Sequence, residues 1–121
     1  MPAVASSSGA DRRQFRRVRA PVTCRAAGAH ARIAAPQQPL DISLGGMRIY
    51  ASEEVRSGTR LELELFLGEG GSVPCTVEVV WVEKLPPSAP ARFDVGLRIL
   101  VISDADRRRL RDVVDDAEEL P

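Results

Sequence analysis

The chain has 121 residues, a hydrophobic share of 44% and a formal net charge of zero. That length sets one domain around one core, and the balanced charge argues against a general polyanion binder, which carries a net positive excess. No run of about 18 apolar residues offers a membrane span, residues 1–10 hold no stretch fit for a secretory signal, and Cys24 and Cys75 lack metal or disulfide-framework spacing, so the expected compartment is the cytoplasm.

Residues 1–10 (MPAVASSSGA) are small and polar and are expected to form a disordered tail. Residues 11–121 are expected to make the single domain, with an Arg-rich arm over 11–19, strands through 20–101 and a helix over 104–119. The first short strand falls at 21–25, with Val22 and Cys24 on one face. A further candidate at 31–35 runs into Pro36 and Pro39, which force a break or an edge position. Residues 40–43 lead into a Gly45-Gly46 turn, and 47–51 alternate Met47, Ile49 and Ala51 against Arg48 and Tyr50.

The clearest strand is 60–67, where Leu61, Leu63, Leu65 and Leu67 alternate with Glu62, Glu64 and Phe66. A glycine-rich hairpin loop over 68–72 leads to a return strand at 73–83, with Val77, Val79 and Trp81 read on one side. After the proline loop 85–90, the last strand at 91–101 points Phe93, Val95, Leu97 and Ile99 one way and Asp94, Gly96 and Arg98 the other. The period then changes. Ser103 is an N-cap with Asp106 three residues on, and Leu110, Val113, Val114 and Ala117 recur at helical spacing. About six short strands and one terminal helix read as an all-β fold, a small six-stranded antiparallel β-barrel with a C-terminal helix packed on it.

Two motifs carry the chemistry. Arg12-Arg13-Gln14-Phe15-Arg16-Arg17 lies in a stretch, 1–32, whose seven arginines face Asp11 alone. A guanidinium can pair with two phosphate oxygens, or with O6 and N7 of guanine, and can stack on a base. Taken alone, this cluster is equally a solvated basic stretch before a strand. Asp41-Ile42-Ser43-Leu44-Gly45-Gly46 gives D-x-S-x-x-G at a strand end. A carboxylate is a matched acceptor for the N1–H and N2–H edge of guanine, and glycine admits close approach to the backbone. Alone, this reads first as an Asx- or Ser-stabilised β-turn closed by Gly. No Walker-type loop, metal cluster or nucleophile–base set stands elsewhere, and His30 is the sole histidine.

In combination the two motifs resemble the PilZ domain family, marked by RxxxR and a later (D/N)xSxxG. Arg13 to Arg17 matches the first motif with Arg12 as the additional arginine. Arg12 to Arg16 also fits, but the register ending at Arg17 puts Val18 at the apolar position that commonly follows. Val79-Val80-Trp81-Val82 and Val95-Gly96-Leu97-Arg98-Ile99 are similar to the family's valine-tryptophan strand and last barrel strand, so the resemblance covers about 11–118; the prolines after Ala34 depart from it. The resemblance implies a receptor for cyclic di-GMP. Arg12, Arg13 and Arg17 would hold phosphates and guanine faces, Asp41 and Ser43 would meet the guanine edge, and Gly46 would keep the wall open. The residues themselves offer no nucleophile–base set, metal cluster or membrane span, so no catalysis, metal, further cofactor or membrane insertion is expected, and the output is expected to pass through an effector protein as partner. The alternative is a PilZ-like interaction adaptor that does not bind the nucleotide. A small barrel with its arm on nucleic acid fits poorly with zero net charge and few aromatics.

Overall fold

The computed structural model describes residues 17–68 and 71–117. The expected tail over 1–10 and the arm up to Arg16 lie outside the described residues.

Among the described residues six strands form: β1 (Thr23–Ala26), β2 (Asp41–Ile42), β3 (Gly46–Ala51), β4 (Arg60–Phe66), β5 (Ser72–Lys84) and β6 (Phe93–Val101). The helix α1 (Asp104–Asp116) follows them. The strands make one sheet in the order β1-β4-β5-β6-β3-β2, every pair antiparallel. The sheet curls into a half-barrel. Its two edge strands are tied by isolated bridges rather than a continuous ladder. Cys24 exchanges hydrogen bonds with Gln37 at 2.7 and 3.0 Å, and Val18 with Ile42 at 2.9 and 2.8 Å.

The inner face follows the alternation of the sequence. Leu61, Leu63 and Leu65 of β4 are buried, as are Met47 and Ile49 of β3 and Phe93, Val95 and Leu97 of β6. The intervening residues stand outward, as a period of two requires. Removing these apolar side chains from water is the main stabilising term, worth roughly 1.5–3 kcal/mol for each one fully buried.

Two local departures have physical reasons. Residues 31–35 do not form a strand: a 3-10 turn at Gly28–His30 comes first, and the following donors are used locally, Ala31 N–H on Gly28 and Ile33 N–H on His30. In β5 the expected alternation fails at its end. Val79 pairs with Leu97 but Trp81 pairs with Gly96, so Val80 is an extra, bulged residue. The bulge reverses the faces beyond it. Val77 and Val79 are buried, whereas Trp81 stands on the outer face and is 42% exposed.

Helix α1 starts at Ser103, whose Oγ accepts from the N–H of Asp106 at 3.1 Å. Leu110 and Val114 are buried against the core, with Val113 and Ala117 beside them. Arg109 Nη1 donates to Ser72 O at 3.4 Å, joining the helix to the start of β5. Among the described residues, no helix is long and apolar enough to cross a membrane.

Candidate functional site

Strand register assembles the site. Asp41 stands opposite Arg48, Arg48 opposite Gly96, and Gly96 opposite Trp81. These four residues form one row across β2, β3, β6 and β5. Their chain neighbours Ile42, Met47, Val95 and Leu97 point into the core, so the row lies on the outer face. Gly96 makes room for the tryptophan: a Cβ there would lie 2.2 Å from the indole ring.

The charges meet at the β2 end of this row. Arg17 Nη2 donates to Asp41 Oδ1, while Arg48 Nη1 lies 3.8 Å from Asp41 Oδ2. Asp41 is only 7% exposed, yet it sits between two guanidinium groups. Arg48 in turn reaches Asp94, with Nε 3.2 Å from Oδ1. Both of these atoms are shut off from solvent, and neither has a hydrogen bond of good geometry. They are held together by charge. Burial pushes the Asp94 carboxyl above its ordinary value; Arg48 opposes this, and Glu83 and Asp41 add to it.

The bridge between Val18 and Ile42 explains the Arg17 contact. Val18 is fully buried, and its pairing fixes the preceding residue over β2, next to Asp41. Arg17, the last arginine of the Arg13 to Arg17 register, thus reaches the first residue of the second motif; Arg16 lies outside the described residues.

Ser43 and Gly46 build the turn between β2 and β3. Ser43 Oγ accepts from the N–H groups of Gly45 at 3.1 Å and Gly46 at 3.3 Å, and Ser43 N–H donates to Gly46 O at 2.8 Å. The hydroxyl is 1% exposed as part of its residue and faces the turn's own backbone. Gly46 is required for close approach: a Cβ there would fall 2.1 Å from the Leu97 carbonyl oxygen on β6.

Of the residues singled out from the sequence, Arg17 and Asp41 are in contact, and Ser43 and Gly46 form the adjoining turn. Arg12 and Arg13 lie outside the described residues. Three members of the site were not assigned to it from sequence: Arg48, Asp94 and the outward Trp81. Arg48 and Asp94 read there as ordinary polar positions of alternating strands. Their meeting depends on β3 pairing with β6, which the linear pattern does not state.

The chain matches the PilZ domain family model over residues 11–116 and belongs to that family. Among solved structures, it is similar to the inhibitor of motility MotI/DgrA of Bacillus subtilis, with 20% identity and a TM-score of 0.69, covering 86% of this chain and 49% of that one. YcgR of Escherichia coli in complex with cyclic di-GMP matches at 23% identity and TM-score 0.63, over 86% of this chain and 45% of that one. The isolated PilZ domain of YcgR with cyclic di-GMP matches at 20% identity and TM-score 0.61, over 88% and 91%. The chain thus spans about half the length of the first two proteins and nearly all of the isolated domain. No curated protein matches it.

Proposed function

We propose that this chain is a receptor and adaptor module for cyclic di-GMP. The observation that carries the reading is the contact between Arg17, last residue of the first motif, and Asp41, first residue of the second. Two segments separated by more than twenty residues of sequence meet at one outer-face site. Family membership and the similarity to YcgR, solved with cyclic di-GMP both as the longer protein and as its isolated PilZ domain, support the same ligand.

The chemistry follows from donor and acceptor types. Asp41 accepts from the N1–H and N2–H edge of a guanine. Arg17, with Arg12 and Arg13 of the arm, pairs with phosphate oxygens or with O6 and N7 in bidentate fashion. Trp81 offers an exposed aromatic face at the far end of the same row, on which a base can stack. Ser43 and Gly46 act by fixing the turn that aims Asp41. The phosphates neutralise an arm that otherwise repels itself, so binding orders the arm and changes the surface seen by an effector protein. On this reading the module is a receptor without catalysis, and it needs no cofactor beyond its ligand.

Isothermal titration with cyclic di-GMP, with GTP and cyclic di-AMP as controls, tests the reading. Selective, saturable heat is expected, and the fitted stoichiometry separates one ligand from a stacked pair. Arg13→Ala, Arg17→Ala and Asp41→Ala should each lose on the order of 2–3 kcal/mol of binding while keeping the wild-type melting temperature within a few degrees. Absence of heat, with no change in melting temperature at high ligand, would replace this reading with that of a protein-interaction adaptor.

A further inference from the structure

Asp41 has two charged neighbours, and they differ in how they are held. The two side chains are equally open, 41% exposed for Arg17 and 40% for Arg48, but Arg17 comes from the arm, before the first strand. Arg48 comes from the middle of β3, within a ladder on both sides. Its guanidinium spans two carboxylates, with Nη1 toward Asp41 at 3.8 Å and Nε toward Asp94 at 3.2 Å. Asp94 is nearly buried and sits in the middle of the sheet, opposite Tyr50 on β3 and Glu83 on β5.

A ligand whose guanine edge takes both Asp41 oxygens and whose phosphates turn the Arg17 guanidinium toward them breaks the single Nη2–Oδ1 contact between the two. At that moment a buried carboxylate loses its nearest cation, an unfavourable change unless a second cation stays in place. Arg48 is that second cation. An arginine side chain has several rotatable bonds and does not stay in one geometry without a partner. Asp94 supplies the partner from the side away from Asp41.

We propose that Arg48, anchored by Asp94, is the positioning residue that keeps the Asp41 carboxylate aimed at the guanine edge when Arg17 turns to the ligand. Asp94 touches no ligand in this arrangement and acts only through Arg48. The inference rests on the cyclic di-GMP reading above and adds to it a residue pair outside both sequence motifs.

A double-mutant cycle on the full chain, read by cyclic di-GMP titration and by thermal melting, tests it. Asp94→Asn is expected to weaken binding about tenfold without lowering the melting temperature. Arg48→Met should weaken binding at least as much, and Arg48→Lys should recover part of the loss. The decisive variant is Arg48→Met/Asp94→Asn, which leaves no unpaired buried charge at position 94. Its affinity should equal that of Arg48→Met alone, because Asp94 has nothing left to anchor. Unchanged affinity in Asp94→Asn, or additive losses in the double variant, would overturn the proposal while leaving the receptor reading intact. No binding by the wild-type chain would overturn both.

Discussion

Trp81 is the only tryptophan of the chain, and its ring lies over Gly96 in the outer-face row. Tryptophan emission, excited selectively over Tyr50, therefore reports this site alone. Addition of cyclic di-GMP should quench or shift the emission, and Trp81→Phe should abolish the signal while keeping most of the affinity. Gly96→Ala places a methyl group where the indole now sits. Because the ring is partly exposed it can swing away, so the expected cost is about 1–2 kcal/mol of stability together with red-shifted emission; an unshifted spectrum would contradict this placement of the ring. Residues of this kind were only partly legible in the sequence. Asp41 and Arg17 stood out because their types and spacing carry chemistry by themselves. The alternation of the sequence puts Trp81 on the inner face, whereas one bulged residue, Val80, reverses every side chain beyond it. Arg48 and Asp94 gain their meaning from a register between strands more than forty residues apart.

Among the elements, those that face water on one side were readable from their period. Strand β4 shows its inner leucines at every second position, and α1 shows its stripe at helical spacing with Ser103 as cap. The segment 31–35 was not readable, because apolar residues alone do not reveal that neighbouring carbonyls will take their N–H groups. The helix is attached chiefly through Leu110 and Val114. Leu110→Ala should cost about 2–5 kcal/mol in a urea melt, and Ser103→Ala about 1 kcal/mol. Gly46→Ala should be more damaging than its small size suggests. Its methyl group would meet a backbone carbonyl of β6 that cannot swing aside, so β3 must separate from β6 next to the binding turn. A loss of both stability and ligand affinity is expected, in contrast to Asp94→Asn.

For the molecule as a whole, pH is the most informative variable. Burial pushes the Cys24 and Cys75 thiols up to about 12, from an ordinary value of 9.0, with the second thiol adding to the rise at Cys24 and Glu62 to that at Cys75. The folded state keeps these protons at a pH where the unfolded chain has released them. Stability from this source is complete below pH 9 and is lost as pH rises from there toward 12, by about 1 kcal/mol per pH unit for each thiol. Urea melts between pH 8 and 11 should show this decline, and a Cys24→Val/Cys75→Val variant should show a shallower one. At the acid side two carboxyls act oppositely. Glu64, lowered chiefly by its hydrogen bond from Arg25, contributes stability that is lost as pH falls through its folded value. Asp94, raised by burial, disfavours the folded state while ionised, and that penalty is relieved as pH falls through its own folded value.

The arm and the barrel share one stretch of backbone. Val18, next to Arg17, is the residue that laces β2 to the end of the arm, and three residues beyond Ala20 the same stretch becomes β1 on the other edge of the sheet. Residues 17–26 thus act like the lace of a boot, running from one side of an opening to the other. A ligand that grips the arm would pull on that lace, and the pull would arrive at β1 and at β4, with which β1 pairs. The message of binding would then be carried by the seam rather than by the packed interior, and an effector would feel it as a change in how easily the two edges part.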